Sequence, residues 1–158
     1  MKDLIVTSPS FKENDSIPTE NSARGKDVSP QLQLDGLLET AESIAITLDD
    51  ASHPLFPNYN HWIIWNIPVL TQIPAAIPRG EVVPFLGNAV QGIAYGKHCY
   101  KGPKPPFKAI HNYTFTVYVL DCTLLLSPKS NRKDFLHEIE GHILQKGTLT
   151  GKFQSHRK

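Results

Sequence analysis

The sequence predicts a mainly β, antiparallel single domain over residues 1–158, with one helix near its C-terminus. Three observations lead there. Apolar and β-branched residues recur with a period of two in several segments. The chain carries 13 prolines, so much of it is turn, loop and strand edge. A helical stripe occurs once, late in the chain.

The first strand lies at residues 43–48, where Ile44, Ile46 and Leu48 alternate with Ala45 and Thr47. That pattern predicts a half-buried strand. Residues 61–67 are β-branched and aromatic on both faces and stop at Pro68, as a doubly buried central strand does. Residues 113–120 also carry large side chains on both faces and read as internal. The helix begins at a Ser130 or Asn131 cap; Phe135, Leu136, Ile139, Ile143 and Leu144 form its stripe, and Gly147 ends it. Residues 149–153 then close as a strand.

Residues 7–35 read as extended loop anchored by Phe11, Ile17, Val28 and Leu32. Residues 69–108 are irregular, punctuated by Pro74, Pro78, Gly80, Pro84, Gly87, Gly92, Gly96, Gly102, Pro103, Pro105 and Pro106. A long irregular stretch inside a compact domain is usually functional.

The bulk numbers exclude several classes. At 158 residues the chain buries roughly 70% of its unfolded surface and needs no disulfide or metal to fold. A net charge of +1 argues against nucleic acid bound by bulk charge. The single Met rules out a Met-rich groove. Cys99 and Cys122 make no disulfide framework and are expected reduced. The apolar run at residues 4–6 is too short for a signal core, and no stretch approaches the ~20 apolar residues of a membrane span. A cytoplasmic protein is expected.

Familiar catalytic motifs fail. His137 and His142 resemble a zinc-protease pair, but a spacing of five separates them by about 140° around a helix. There is no phosphate-binding glycine loop and no nucleophile elbow. The two cysteines are too far apart in sequence for a zinc knuckle.

A scattered set remains. Asp49 and Asp50 follow the first strand, His61 opens the second, and Pro105, Pro106, His111 and Tyr113 precede or start the third. Neighbouring strands would bring these ends to one edge of the sheet. Two imidazoles and a phenol can donate to an anion; a carboxylate beside them can orient a histidine. Gly102 would let backbone N–H groups approach an oxyanion. Taken singly, each residue also has a structural reading: turn aspartates, strand-end histidines, a core tyrosine.

The ordered set resembles the bacterial and archaeal, Raf-kinase-inhibitor-like branch of the phosphatidylethanolamine-binding proteins. It runs through Asp27-Val-Ser-Pro-Gln-Leu32, Asp49-Asp50, His61-Trp62, Asn66-Ile-Pro68, Gly87-Asn88, Tyr100-Lys-Gly-Pro-Lys-Pro-Pro106, His111-Asn-Tyr113, Tyr118-Val-Leu-Asp121, Gly141-His-Ile-Leu144 and Leu149-Thr-Gly151. The resemblance implies an antiparallel β-sandwich and a small pocket for phosphate, acetate, cacodylate or phospholipid head groups. Carried over, that pocket is Asp49, His61, Pro106, His111 and Tyr113, with the Gly102 backbone beside it.

Two departures bear on this set. The usual Asp-Pro-Asp-Ala-Pro reads Asp49-Asp50-Ala-Ser-His-Pro54, which leaves open whether Asp49 or Asp50 faces the pocket. The usual glycine after the double proline is replaced by Phe107-Lys-Ala109, a bulkier loop that would narrow the pocket or bring Lys108 to its mouth. The resemblance further implies a homodimer and, by analogy alone, a kinase partner. The expectation is a non-enzymatic binding protein without cofactor or metal. The alternative is a metal-dependent hydrolase using Asp49 and the histidine pair.

Overall fold

The structure is a computed structural model that describes residues 2–56, 58–106 and 108–155. Two antiparallel sheets face each other. The smaller is built from β1 (Ile5–Thr7), β2 (Leu32–Asp35) and β5 (Gln72–Ile73), in the order β1-β2-β5. The larger contains β3 (Ser43–Asp50), β4 (Tyr59–Ile67), β6 (Val82–Val83), β7 (Ala89–Gln91), β8 (Ile110–Leu120) and β9 (Ile143–Gln154). Its order is β6-β7-β4-β3-β8-β9.

The main core lies between the sheets. Val6, Leu32, Leu34 and Ile73 of the small sheet meet Ile44, Ile46, Leu48, Trp62, Ile64, Phe115 and Val117 of the large one. A second cluster covers the opposite face of the large sheet. There Ala45, Ile63, Trp65, Tyr118 and Leu120 pack under Phe135 and Ile139. This second layer corrects the reading of residues 43–48 as half-buried: all eight residues of β3 are buried.

The helix, α1 (Arg132–Glu138), is shorter than its stripe predicts. Asn131 caps it in a reciprocal box with Asp134: Asp134 N donates to Asn131 Oδ1 and Asn131 N to Asp134 Oδ2. Gly141, at φ +79°, turns the chain out of the helix. Ile143 and Gly147 belong to β9, so the last described element is a long strand rather than the helix. Ladder pairing along the whole of β8 outweighs the helical period of residues 139–144.

Candidate functional site

Strand register decides which side chains meet. Asp50 of β3 stands opposite both Tyr59 of β4 and Tyr113 of β8. Directly opposed residues share a face, so Asp50, Tyr59 and Tyr113 project together, with His111 two residues along β8. His61 joins them through a bulge. Leu48 pairs with Trp62 and Asp49 with Asn60, leaving His61 as the extra residue of β4. An inserted residue re-aims its neighbours. Trp62 stays in the main core, while His61 and Tyr59 turn to the Asp50 face and Asn60 to the Asp49 face.

Four of the residues singled out from sequence come together: Asp50, His61, His111 and Tyr113. His111 Nδ1 lies 2.7 Å from Asp50 Oδ2, and Ser52 N donates to Asp50 Oδ1 at 2.9 Å. The His61 ring meets Tyr113 edge-on, with centroids 5.3 Å apart, and His111 lies 6.3 Å from the same tyrosine. His61 Nδ1 donates to Lys101 O at 2.9 Å, which fixes its tautomer. Each imidazole thus spends Nδ1 on the protein. Among the described residues neither Nε2 makes a hydrogen bond.

Burial sets the charge states. It lowers the pKa of His61, against the opposing pull of the Lys101 carbonyl and Asp50, so this ring is neutral at pH 7. Burial first, then Asp50, pushes the Tyr113 phenol far above its ordinary range. Tyr113 therefore remains a hydroxyl and can donate. Asp50, His61, His111 and Tyr113 are only 1–8% exposed, so the group is nearly closed to solvent.

One expected member, Asp49, falls elsewhere. Asp49 points to the opposite face, where Asn60 Nδ2 donates to it at 3.0 Å and Arg132 Nε stands 3.1 Å away. Burial raises its pKa, opposed by Asn60 and Arg132. Adjacent strand residues alternate faces, so only one of the two aspartates can join the histidines, and it is Asp50. The Gly102 backbone lies beside His61, but its N–H donates to Asp27 Oδ1 at 2.6 Å and is not free for an anion. Its lack of a side chain serves close packing instead: a Cβ there would lie 2.2 Å from Asn21 O. Pro106 is exposed, unlike the four residues that come together. Lys108 is exposed too, while Phe107 lies outside the described residues.

Sequence reasoning missed Tyr59, Tyr95 and Lys101. The Tyr95 ring packs edge-on to His61 at 4.9 Å and to Tyr59 at 5.0 Å, and Lys101 Nζ sits 5.2 Å from its centroid. Tyr95 and Gly96 have φ of +54° and +67°, and Ala94 and Lys97 exchange hydrogen bonds across them. That is the pattern of a type I′ turn, which seldom takes an aromatic and costs roughly 1 kcal/mol here. The Tyr95-Gly96 pair was the available signal. Tyr95 also walls two neighbouring clefts: one of about 290 Å³ with Lys26, Arg79, Lys97 and Lys101, another of about 790 Å³ with Tyr59, Arg132 and Leu136.

Two antiparallel sheets packed face to face define a small β-sandwich protein, with a histidine–tyrosine–carboxylate group at one end of the larger sheet. The phosphatidylethanolamine-binding protein family model matches residues 7–154, and the chain belongs to that family. A UPF0098 protein of Pyrococcus abyssi is 38% identical over 155 residues, covering 97% of this chain and 86% of the relative. Escherichia coli YbhB, also a UPF0098 protein, is 28% identical over 124 residues, 75% of this chain and 78% of its own. The crystal structure of a phosphatidylethanolamine-binding protein homologue from Chlamydia trachomatis superposes with a TM-score of 0.86 at 25% identity, over 99% of this chain and 100% of that one. E. coli YbcL, described as a member of the mammalian PEBP family, shares the fold with a TM-score of 0.88 at 24% identity, over 98% and 99% of the two chains. No helix among the described residues is long and apolar enough to cross a membrane.

Proposed function

We propose that the chain is a binding protein whose Asp50, His61, His111 and Tyr113 hold a small oxyanion: phosphate, a phosphomonoester or a phospholipid head group. One observation carries this reading. Two imidazoles have Nδ1 engaged by protein acceptors and Nε2 uncommitted, around a phenol that stays protonated. Asp50 orients His111 rather than meeting the anion. His61 is neutral, so it accepts a proton carried by the guest or takes one up on binding. Family membership supports a binding role; homodimerisation and a cytoplasmic setting belong to the same proposal.

The test is calorimetric titration with inorganic phosphate and with phosphorylethanolamine, comparing the native chain with His61→Ala and His111→Ala. Binding lost in both variants is expected. Equal heats from all three remove the reading.

A metal-dependent hydrolase on these residues is the alternative. The Asp50–His111 pair is what favours it, because a carboxylate-held imidazole also serves as a general base. Phosphomonoester turnover abolished by His111→Ala would replace binding with catalysis.

A further inference from the structure

We propose a second site, at the other end of the large sheet, that binds a divalent transition ion of the zinc class through Asp121, Cys122 and His142. Ligand atoms of these three residues lie within 4.8 Å of one another. His142 Nδ1 is 2.8 Å from Asp121 Oδ1. The site does not depend on the oxyanion reading and shares no residue with it.

The fold assembles this group from positions twenty residues apart. Leu120 of β8 pairs with Ile143 of β9, which sets Asp121 and His142 side by side just beyond the ladder. Asp121 N donates to His142 O at 3.0 Å, closing that end of the sheet. Ser43 Oγ donates to Cys122 O at 2.6 Å and pins the cysteine backbone. The three side chains are therefore held on fixed backbone, while the imidazole and carboxylate are 47% and 44% exposed and free to adjust.

The donor set selects the ion. One thiolate, one imidazole and one carboxylate suit zinc, cobalt or nickel. Calcium and magnesium take all-oxygen sets, so they do not fit. Around tetrahedral zinc, with bonds of about 2.0 Å to N or O and about 2.3 Å to S, ligand atoms sit roughly 3.3–3.5 Å apart. The His142–Asp121 pair must open by about half an ångström, and Cys122 must close by no more than about 1.5 Å, to reach that geometry. Rotamer changes of exposed side chains cover those distances. Three protein ligands leave a fourth position open to water or to a donor from another molecule.

Cobalt titration of the full chain under reducing conditions tests the proposal. One equivalent is expected to give a thiolate-to-cobalt charge-transfer band that zinc displaces. Cys122→Ser removes the band, Cys99→Ser keeps it, and His142→Gln weakens cobalt binding at least about tenfold. His61→Ala and His111→Ala leave it unchanged. Absence of the band at one equivalent, its survival in Cys122→Ser, or its loss in Cys99→Ser overturns the proposal. Far-ultraviolet circular dichroism of Cys122→Ser, expected to match the native chain, confirms that loss of the band reports the ligand.

Discussion

Replacing Asp50 tests the core of the site. Its carboxylate is 3% exposed and accepts twice, from His111 Nδ1 and from Ser52 N. Alanine removes both acceptors and leaves two donors facing protein. Each unsatisfied donor costs about 1–3 kcal/mol, so losing both acceptors costs about 2–6 kcal/mol. For a chain of this length, about 1 kcal/mol moves Tm by roughly 2–4 °C, so Asp50→Ala should lower Tm by about 4–24 °C. Asparagine offers one oxygen and one NH2. It keeps Ser52 satisfied and forces His111 into the other tautomer, with Nδ1 accepting, at a cost of about 1–2 kcal/mol. Urea denaturation at constant m, with a thermal melt, measures both variants. Asp50→Ala no less stable than Asp50→Asn by more than about 0.5 kcal/mol would refute the reasoning, because the second buried acceptor would then carry nothing.

Other expectations follow from neighbouring geometry. Asp49→Asn, on the opposite face, should leave phosphate affinity within about twofold, whereas His111→Ala abolishes measurable binding; isothermal titration separates them. Gly102→Ala forces a Cβ to 2.2 Å from Asn21 O and 2.9 Å from Asp27 Oδ1. Moving that strap should cost about 3 kcal/mol and weaken phosphate binding through the Lys101 carbonyl that holds His61, both read by urea melts and titration. The folded-state pKa of His61 lies below its ordinary 6.5, so its stabilising contribution is present above pH 6.5 and is lost as pH falls below it. His61→Gln should flatten stability between pH 6.5 and 5, and an unchanged slope in the variant would contradict the burial argument. If His61 takes up a proton with the anion, affinity in the native chain should weaken as pH rises past roughly 6.5.

The three long strands were legible because alternation survives even where both faces are buried. Ile44, Ile46 and Leu48 declare one face whatever covers the other. The helix boundary was not, since residues 139–144 satisfy a helical stripe and a strand equally. Only the ladder with β8 resolves them. Likewise, His111 and Tyr113 are two apart on one strand, so their shared face follows from sequence. Asp27 and Lys101 illustrate the limit: one holds the Gly102 backbone across 75 positions, the other presents a carbonyl to His61, and a carbonyl leaves no trace in residue type.

The sequence by itself determined the β class, the order of the strands along the chain and the residue types available for an anion. These follow from local period and side-chain chemistry. Tertiary structure alone decided that Asp50 rather than Asp49 meets His111, and that His61 turns toward them. The first follows from the unbroken β3–β8 register and the second from a one-residue bulge in β4, where a single inserted residue reverses the face of the side chains beyond it.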